Sequence, residues 1–263
     1  MRGTIIATSD QHADSAPAGV KSQQLDFFRS LTTRQDVQLV VSVGDLWSMT
    51  LDSTVDRVIK DPHCCALRDV LRDLSKVKKV VLVDGNHDPY SDMAVNQPQD
   101  YARFVNWLNA PTISLKHRQY AYGDDTTKPD IIFEHGCRLD PTTAMWTDIT
   151  HVLRDIMGTA RFVKFAQWVL SIVLHRQPTP REVRDQDPDA YNYLVSWIHD
   201  KWWQWTLANS GSAKLVIAGH THFDECRHKE LKDKTYVNCG AFDGNGNTYV
   251  EITPDGVALK QWV

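Results

Sequence analysis

An α/β core is what this sequence predicts, on three observations. Short apolar runs rich in β-branched residues each stop abruptly in a polar cluster, helical patterns separate the early runs, and 263 residues suffice for one large domain carrying an insertion. Thr4–Thr8 stops in Ser9-Asp10-Gln11-His12, Val37–Val43 in Gly44-Asp45, and Lys79–Val83 in Asp84-Gly85-Asn86-His87-Asp88. Ile131–Phe133 stops in Glu134-His135-Gly136 and Lys214–Ala218 in Gly219-His220-Thr221-His222. Continuous apolar runs bounded by Gly and Asx read as buried central strands. Ser22–Leu31 and Ala66–Leu74 read as helices between them, the alternation of an α/β sheet. Thr235–Val237, Thr248–Ile252 and Val257–Lys260 read as closing strands, with tight turns at Asp243–Asn247 and Pro254-Asp255-Gly256.

The stretch 141–210 breaks this rhythm. Thr142–Ile156 and Ala160–Leu174 read as two helices, and Asp189 caps a third through Tyr191, Leu194, Trp197, Ile198 and Trp202. The expected organisation is a core of 1–140 and 211–263 with a helical insertion, or cap, at 141–210.

Composition narrows the class. Hydrophobic residues are 42% and charged residues 24%, the balance of a chain that can bury a core. A formal charge of −4 supplies no global basic field for nucleic acid. The 5 cysteines are odd in number, lack zinc-type spacing and include the adjacent Cys64 and Cys65, which fits reduced thiols in a cytoplasmic setting. Met1 and Arg2 lead straight into a strand, so no signal peptide is expected. No apolar run approaches the roughly 18–20 residues that span a bilayer, so a soluble protein, at most peripheral to a membrane, is expected.

Each motif loop presents metal-ligand residue types. Ligands of open α/β sheets bind outside the carboxyl ends of strands, so five such loops can converge on one site. Any one of them alone is an ordinary turn. Their order is the specific signal: Asp10-x-His12, Gly44-Asp45, Gly85-Asn86-His87-Asp88, His135, Gly219-His220-x-His222. This series resembles the calcineurin-like metallophosphoesterases over most of the chain apart from the insertion. The resemblance implies a four-layer sandwich, two β-sheets flanked by helices, holding two divalent ions. Asp10, His12, Asp45 and His222 would hold the first, and Asp45, Asn86, His135 and His220 the second. A carboxylate has two oxygens and can bridge both ions, which suits Asp45. Imidazole and carboxylate together favour Mn, Fe, Co or Zn over Ca, and Mn is the metal expected. Alternation along an extended segment puts the rings of His220 and His222 on one side. A glycine before each of Asp45, Asn86 and His220 allows a tight turn at the strand end.

The reaction implied is hydrolysis of a phosphodiester or pyrophosphate by a water or hydroxide bridging ions about 3.5–4 Å apart. His87 is the candidate general acid, or charge stabiliser, for the leaving oxygen. Asp88 either orients His87 or serves as a turn residue. Ser48 stands where many members carry a second Asp, and Cys137 follows the His135 loop where relatives often have Asp or His.

Gly-Asn-His-Asp in place of Gly-Asn-His-Glu, and the lack of an Asp-Arg-Gly after the bridging carboxylate, disfavour a protein phosphatase. The insertion and the Val237-Asn238-Cys239-Gly240-Ala241 tail are similar to UDP-2,3-diacylglucosamine pyrophosphatases, although those commonly have Arg at the place of His87 and Asp at that of Cys137. The substrate would then be a phosphorylated small molecule or a lipid-linked nucleotide. Insertion aromatics such as Trp146, Phe165 and Trp197 suit either an apolar lid or plain helix packing. A nuclease or nucleotide phosphodiesterase of the same family stands as the alternative. A catalytically dead metal-binding scaffold is opposed by the presence of every expected ligand.

Overall fold

A computed structural model describes residues 3–49, 55–88, 90–125, 127–137 and 203–263, except 205, 209, 223, 232 and 245. The chain divides into two compact units, Met1–Gly136 with Leu207–Val263, and Cys137–Thr206. The three helices expected between 142 and 202 lie outside the described residues.

The first unit holds two sheets. One has the order β11-β10-β1-β2-β3-β4 and the other β5-β6-β7-β9-β8. In the first, β1 (Thr4–Thr8), β2 (Val37–Val43), β3 (Lys79–Val83) and β4 (Ile113–Lys116) run parallel. β10 (Thr248–Thr253) pairs antiparallel with β1, and β11 (Gly256–Gln261) with β10. In the second sheet β6 (Ile131–Glu134), β7 (Leu215–Ala218) and β9 (Lys234–Cys239) are parallel, bordered by antiparallel β5 (Gln119–Tyr122) and β8 (Asp224–Leu231).

The apolar runs are continuous because both faces of the first sheet are covered. Ile6, Val40, Val80 and Leu82 pack with Phe27, Phe28 and Leu31 of α1 (Ala18–Thr33) and Leu67, Leu71 and Leu74 of α3 (Pro62–Val77). Their alternates Ile5, Ala7, Leu39, Val41, Val81 and Val83 face Ile131, Phe133, Ile217 and Val237 of the second sheet. Each such side chain contributes about 1.5–3 kcal/mol on burial, so these two cores carry the stability that the loops above them draw on. At the start of α3 the Asp61 carboxylate accepts the Cys64 N–H at 2.8 Å, with Pro62 in the first turn. The shorter α2 (Val55–Lys60), α4 (Tyr90–Asn96) and α5 (Pro98–Leu108) complete the described helices.

Candidate metal centre

The motif loops leave the carboxyl ends of β1, β2 and β3 in one sheet and of β6 and β7 in the other, and they meet where the two sheets end together. Ser9 Oγ lies 2.8 Å from the Val43 carbonyl, and Gly219 N donates to the His135 carbonyl at 3.3 Å. The His135 Nδ1–H donates to the Val43 carbonyl at 2.8 Å, which joins the second sheet to the first.

The backbone here is strained. Asp10, His12, Asp45, His220 and His222 all have positive φ, between 44° and 73°. Such residues cost on the order of 1–3 kcal/mol each and persist only where the surroundings over-determine them. The last pair corrects the extended reading of Gly219–His222. Thr221 N closes on the Gly219 carbonyl at 2.9 Å, and the left-handed turns send the two rings to different partners. His220 Nδ1 lies 2.9 Å from Asn86 Oδ1, whereas His222 Nε2 lies 3.3 Å from Asp10 Oδ1.

Two of the three glycines differ from the turn expectation. Only Gly44 has positive φ, at 83°. A Cβ on Gly85 would overlap the Asp45 carboxylate, and one on Gly219 would overlap Ser9 Oγ. Those two positions are glycine because the neighbouring loop fills the space.

Asp10 and Asp45 are buried, and His135 is 1% exposed. Asp10 Oδ2 accepts Ser9 Oγ–H at 2.5 Å and His220 N–H at 2.9 Å. Asp10 Oδ1 is buried and has no hydrogen-bond partner, although His222, His135 and His12 Nε2 surround it at 3.3, 3.9 and 4.0 Å. Asp45 Oδ2 lies 3.1 Å from His135 Nε2, and its Oδ1 accepts the His87 N–H at 2.8 Å. Asn86 Oδ1 sits 3.1 Å from His135 Nε2. Three sets, Asp10–His12–His222, His12–Asp45–His87 and Asp10–Asp45–His135, each bring one donor atom per residue within 4.8 Å of one another. Buried carboxylate oxygens ringed by imidazole nitrogens fit a divalent cation, because this is the donor set such an ion takes.

Burial works against charge throughout the cluster, but carboxylates and imidazoles offset it for one another. Against that burial cost, His222, His135 and His12 hold Asp10 well below the ordinary carboxylate range, and His135 does the same for Asp45. The carboxylates outweigh burial at His135, raised to about 9, and at His222, raised to about 11. Burial prevails at His12 and lowers it. In the metal-free protein, protons on His135 and His222 balance the buried carboxylates. Both folded pKa values exceed the unfolded one, about 6.5, so this contribution to stability is complete below pH ~6.5 and is lost as pH rises through 9 to 11. A cation must displace those protons, so the melting-temperature gain on adding Mn²⁺ should grow between pH 6.5 and 9. A gain independent of pH would mean that the rings are already neutral.

Asp88 serves its own turn, as one of its two expected readings has it, and reaches beyond it. Its Oδ1 accepts Asp45 N–H at 3.0 Å and Gly85 N–H at 2.9 Å, and its Oδ2 accepts Leu46 N–H at 2.8 Å, Trp47 N–H at 3.4 Å and Tyr90 O–H at 2.9 Å. The carboxylate thus ties the Asp45 loop to the Asn86 loop. Burial and the Asp45 charge push its pKa well up, opposed by these donors. His87 lies edge-on to His12, with ring centroids 4.9 Å apart.

Sequence reasoning missed two supports. His12 Nδ1 lies 3.2 Å from Ser48 Oγ, and Ser48 N donates to Asp14 Oδ1 at 2.8 Å, so the hydroxyl in place of the usual Asp still contacts the ring. His222 Nδ1 lies 3.2 Å from Asp243 Oδ2. The sequence marks Asp243 only as a turn residue. It follows the end of β9 as Asp10 follows β1, and that repeated placement is the signal that was available. Cys137 is partly buried.

A two-sheet α/β fold with carboxylates and imidazoles gathered at its strand ends is that of the metal-dependent phosphoester hydrolases. Within that class the chain belongs to the calcineurin-like phosphoesterase family, whose model it matches over residues 3–224. No curated protein matches it by sequence. Among solved structures it is similar to TT1561 of Thermus thermophilus, at 11% identity and TM-score 0.45 over 100% of both chains. It is also similar to the cold-active protein-tyrosine phosphatase of a psychrophilic Shewanella, at 13% identity and TM-score 0.41 over 100% of this chain and 78% of that one. A third is GAP50, the anchor in the inner membrane complex of Plasmodium, at 15% identity and TM-score 0.45 over 98% and 84%. Among the described residues no helix is long and apolar enough to cross a membrane.

Proposed function

We propose that the protein hydrolyses a phosphodiester or pyrophosphate with two divalent ions, most simply Mn, one held by Asp10, His12, Asp45 and His222 and the other by Asp45, Asn86, His135 and His220. The observation that carries this reading is the gathering of buried Asp10 and Asp45 with His12, His135 and His222, whose donor atoms within each set lie within 4.8 Å of one another. Bound ions would supply Lewis acidity toward phosphoryl oxygens and a water nucleophile of lowered pKa. The chain's own residues position that chemistry. Asp45 places one oxygen on the His87 backbone and the other against His135, so it faces both ion sites. Val43, through its carbonyl, fixes the His135 proton on Nδ1 and leaves Nε2 facing the centre. His87, half-buried beside His12, is placed to give a proton to the departing oxygen.

Replacing His87 with alanine should lower turnover by about 10²–10⁴-fold while sparing metal content, the range for a positioned acid. Loss of an ion along with turnover would make His87 a ligand, as its grouping with His12 and Asp45 allows.

The insertion and tail favour a lipid-linked nucleotide pyrophosphate over a generic diester, by resemblance. The test is Mn²⁺-supplemented hydrolysis of bis-p-nitrophenyl phosphate beside UDP-2,3-diacylglucosamine, with Asp45→Asn as control. Turnover of the lipid far above the diester supports that substrate, whereas turnover of the diester alone turns the search to nucleotides and nucleic acid. Hydrolysis of neither would count against the catalytic reading.

A further inference from the structure

We propose that Asp243 is a positioning residue that fixes the ring of His222 for one of the two ions, an inference that rests on the metal-centre reading above. The geometry has three parts. Asp243 Oδ2 lies 3.2 Å from His222 Nδ1, on the side of the ring away from Asp10. Three rings bring Nε2 to the centre, and each has its own Nδ1 partner: a carbonyl for His135, a hydroxyl for His12, a carboxylate for His222. Only the last is a charged acceptor, which both sets the tautomer and strengthens the nitrogen opposite as a ligand.

Asp243 is itself held in place. The neighbouring Phe242 is buried, and its N–H donates toward the Ser9 and Asp10 carbonyls at 3.3 and 3.2 Å. Gln24 Nε2 donates to the Phe242 carbonyl at 2.7 Å and to the Gln11 carbonyl at 2.6 Å, clamping the Asp243 turn onto the Asp10–His12 loop. On the other side Gly244 N donates to Asn247 Oδ1 at 3.2 Å, and Asn247 Nδ2 donates to Gln23 Oε1 at 2.7 Å. The carboxylate is therefore anchored through the same loop that carries Asp10, so its distance to His222 is set by the backbone.

The test is calorimetric titration of the metal-free protein with Mn²⁺. Asp243→Ala should weaken one of the two ions by about 10–100-fold and leave the other unchanged. In a His222→Ala background the same substitution should produce no further loss, because its partner is gone. A merely structural role would persist in that background, and an undiminished loss there overturns the proposal. So does a titration of Asp243→Ala that matches the wild type. If the alanine variant does not fold, Asp243→Leu, similar in size and without an acceptor, carries the same titration, and wild-type affinity in it overturns the proposal equally. A wild-type protein that takes up no Mn²⁺ would instead remove the metal-centre reading itself.

Discussion

Asp88→Ala should destabilise the protein by about 4 kcal/mol or more, roughly 10 °C in Tm for a chain of this size, a larger effect than loss of an ordinary buried contact. Removing the carboxylate strands the N–H groups of Asp45, Leu46, Trp47 and Gly85 and the hydroxyl of Tyr90 in a buried pocket. Each buried donor left without an acceptor costs about 1–3 kcal/mol, and water entering the space recovers part of the sum. Asp88→Asn should fall between, since an amide keeps one acceptor oxygen but turns an NH₂ toward N–H donors. Thermal melting of the metal-free variants measures this. A melting temperature equal to the wild type would mean that water substitutes fully for the carboxylate.

Asp45→Asn should cost at least about 10²–10³-fold in hydrolysis, the scale on which electrostatic groups at reacting centres act. Asp45 is the carboxylate whose two oxygens face different sides of the cluster, and asparagine removes its charge from both. The amide keeps the size of the side chain and one acceptor for the His87 N–H. The fold should therefore survive while both ions weaken, which far-UV circular dichroism and metal content read separately. Full activity in this variant would place the reacting centre elsewhere in the chain.

The central strands were legible because burial on both faces demands unbroken β-branched runs, and the sequence-derived bounds of β1, β2 and β3 coincide with those observed. The helices came out short: α1 starts at Ala18 and α3 at Pro62, since their first turns hold Gly19, Lys21, His63 and Cys65, which interrupt an apolar stripe. β4 and β5 were not assigned. Each is four residues long and half-exposed, so neither shows a run. The motif residues were named from their order along the chain, and the structure brings them together. What order does not convey is direction. That His220 and His222 diverge depends on left-handed backbone at both residues, and that Asp88 faces backbone N–H groups depends on where two loops cross. Asp243 was hidden for the same reason, because its partner lies 21 positions back, on the far side of a hairpin.

The meeting of two sheets at one site has a consequence for how the protein comes into being. The N–H that holds Asp10 Oδ2 belongs to His220, 210 positions away, and β1 gains its antiparallel neighbour only with Thr248–Thr253. Assembly has to wait for contacts spanning more than 200 positions, the kind of topology that slows folding. The assembled cluster, as distinct from its separate side chains, should therefore be among the last features to form when the denatured chain refolds.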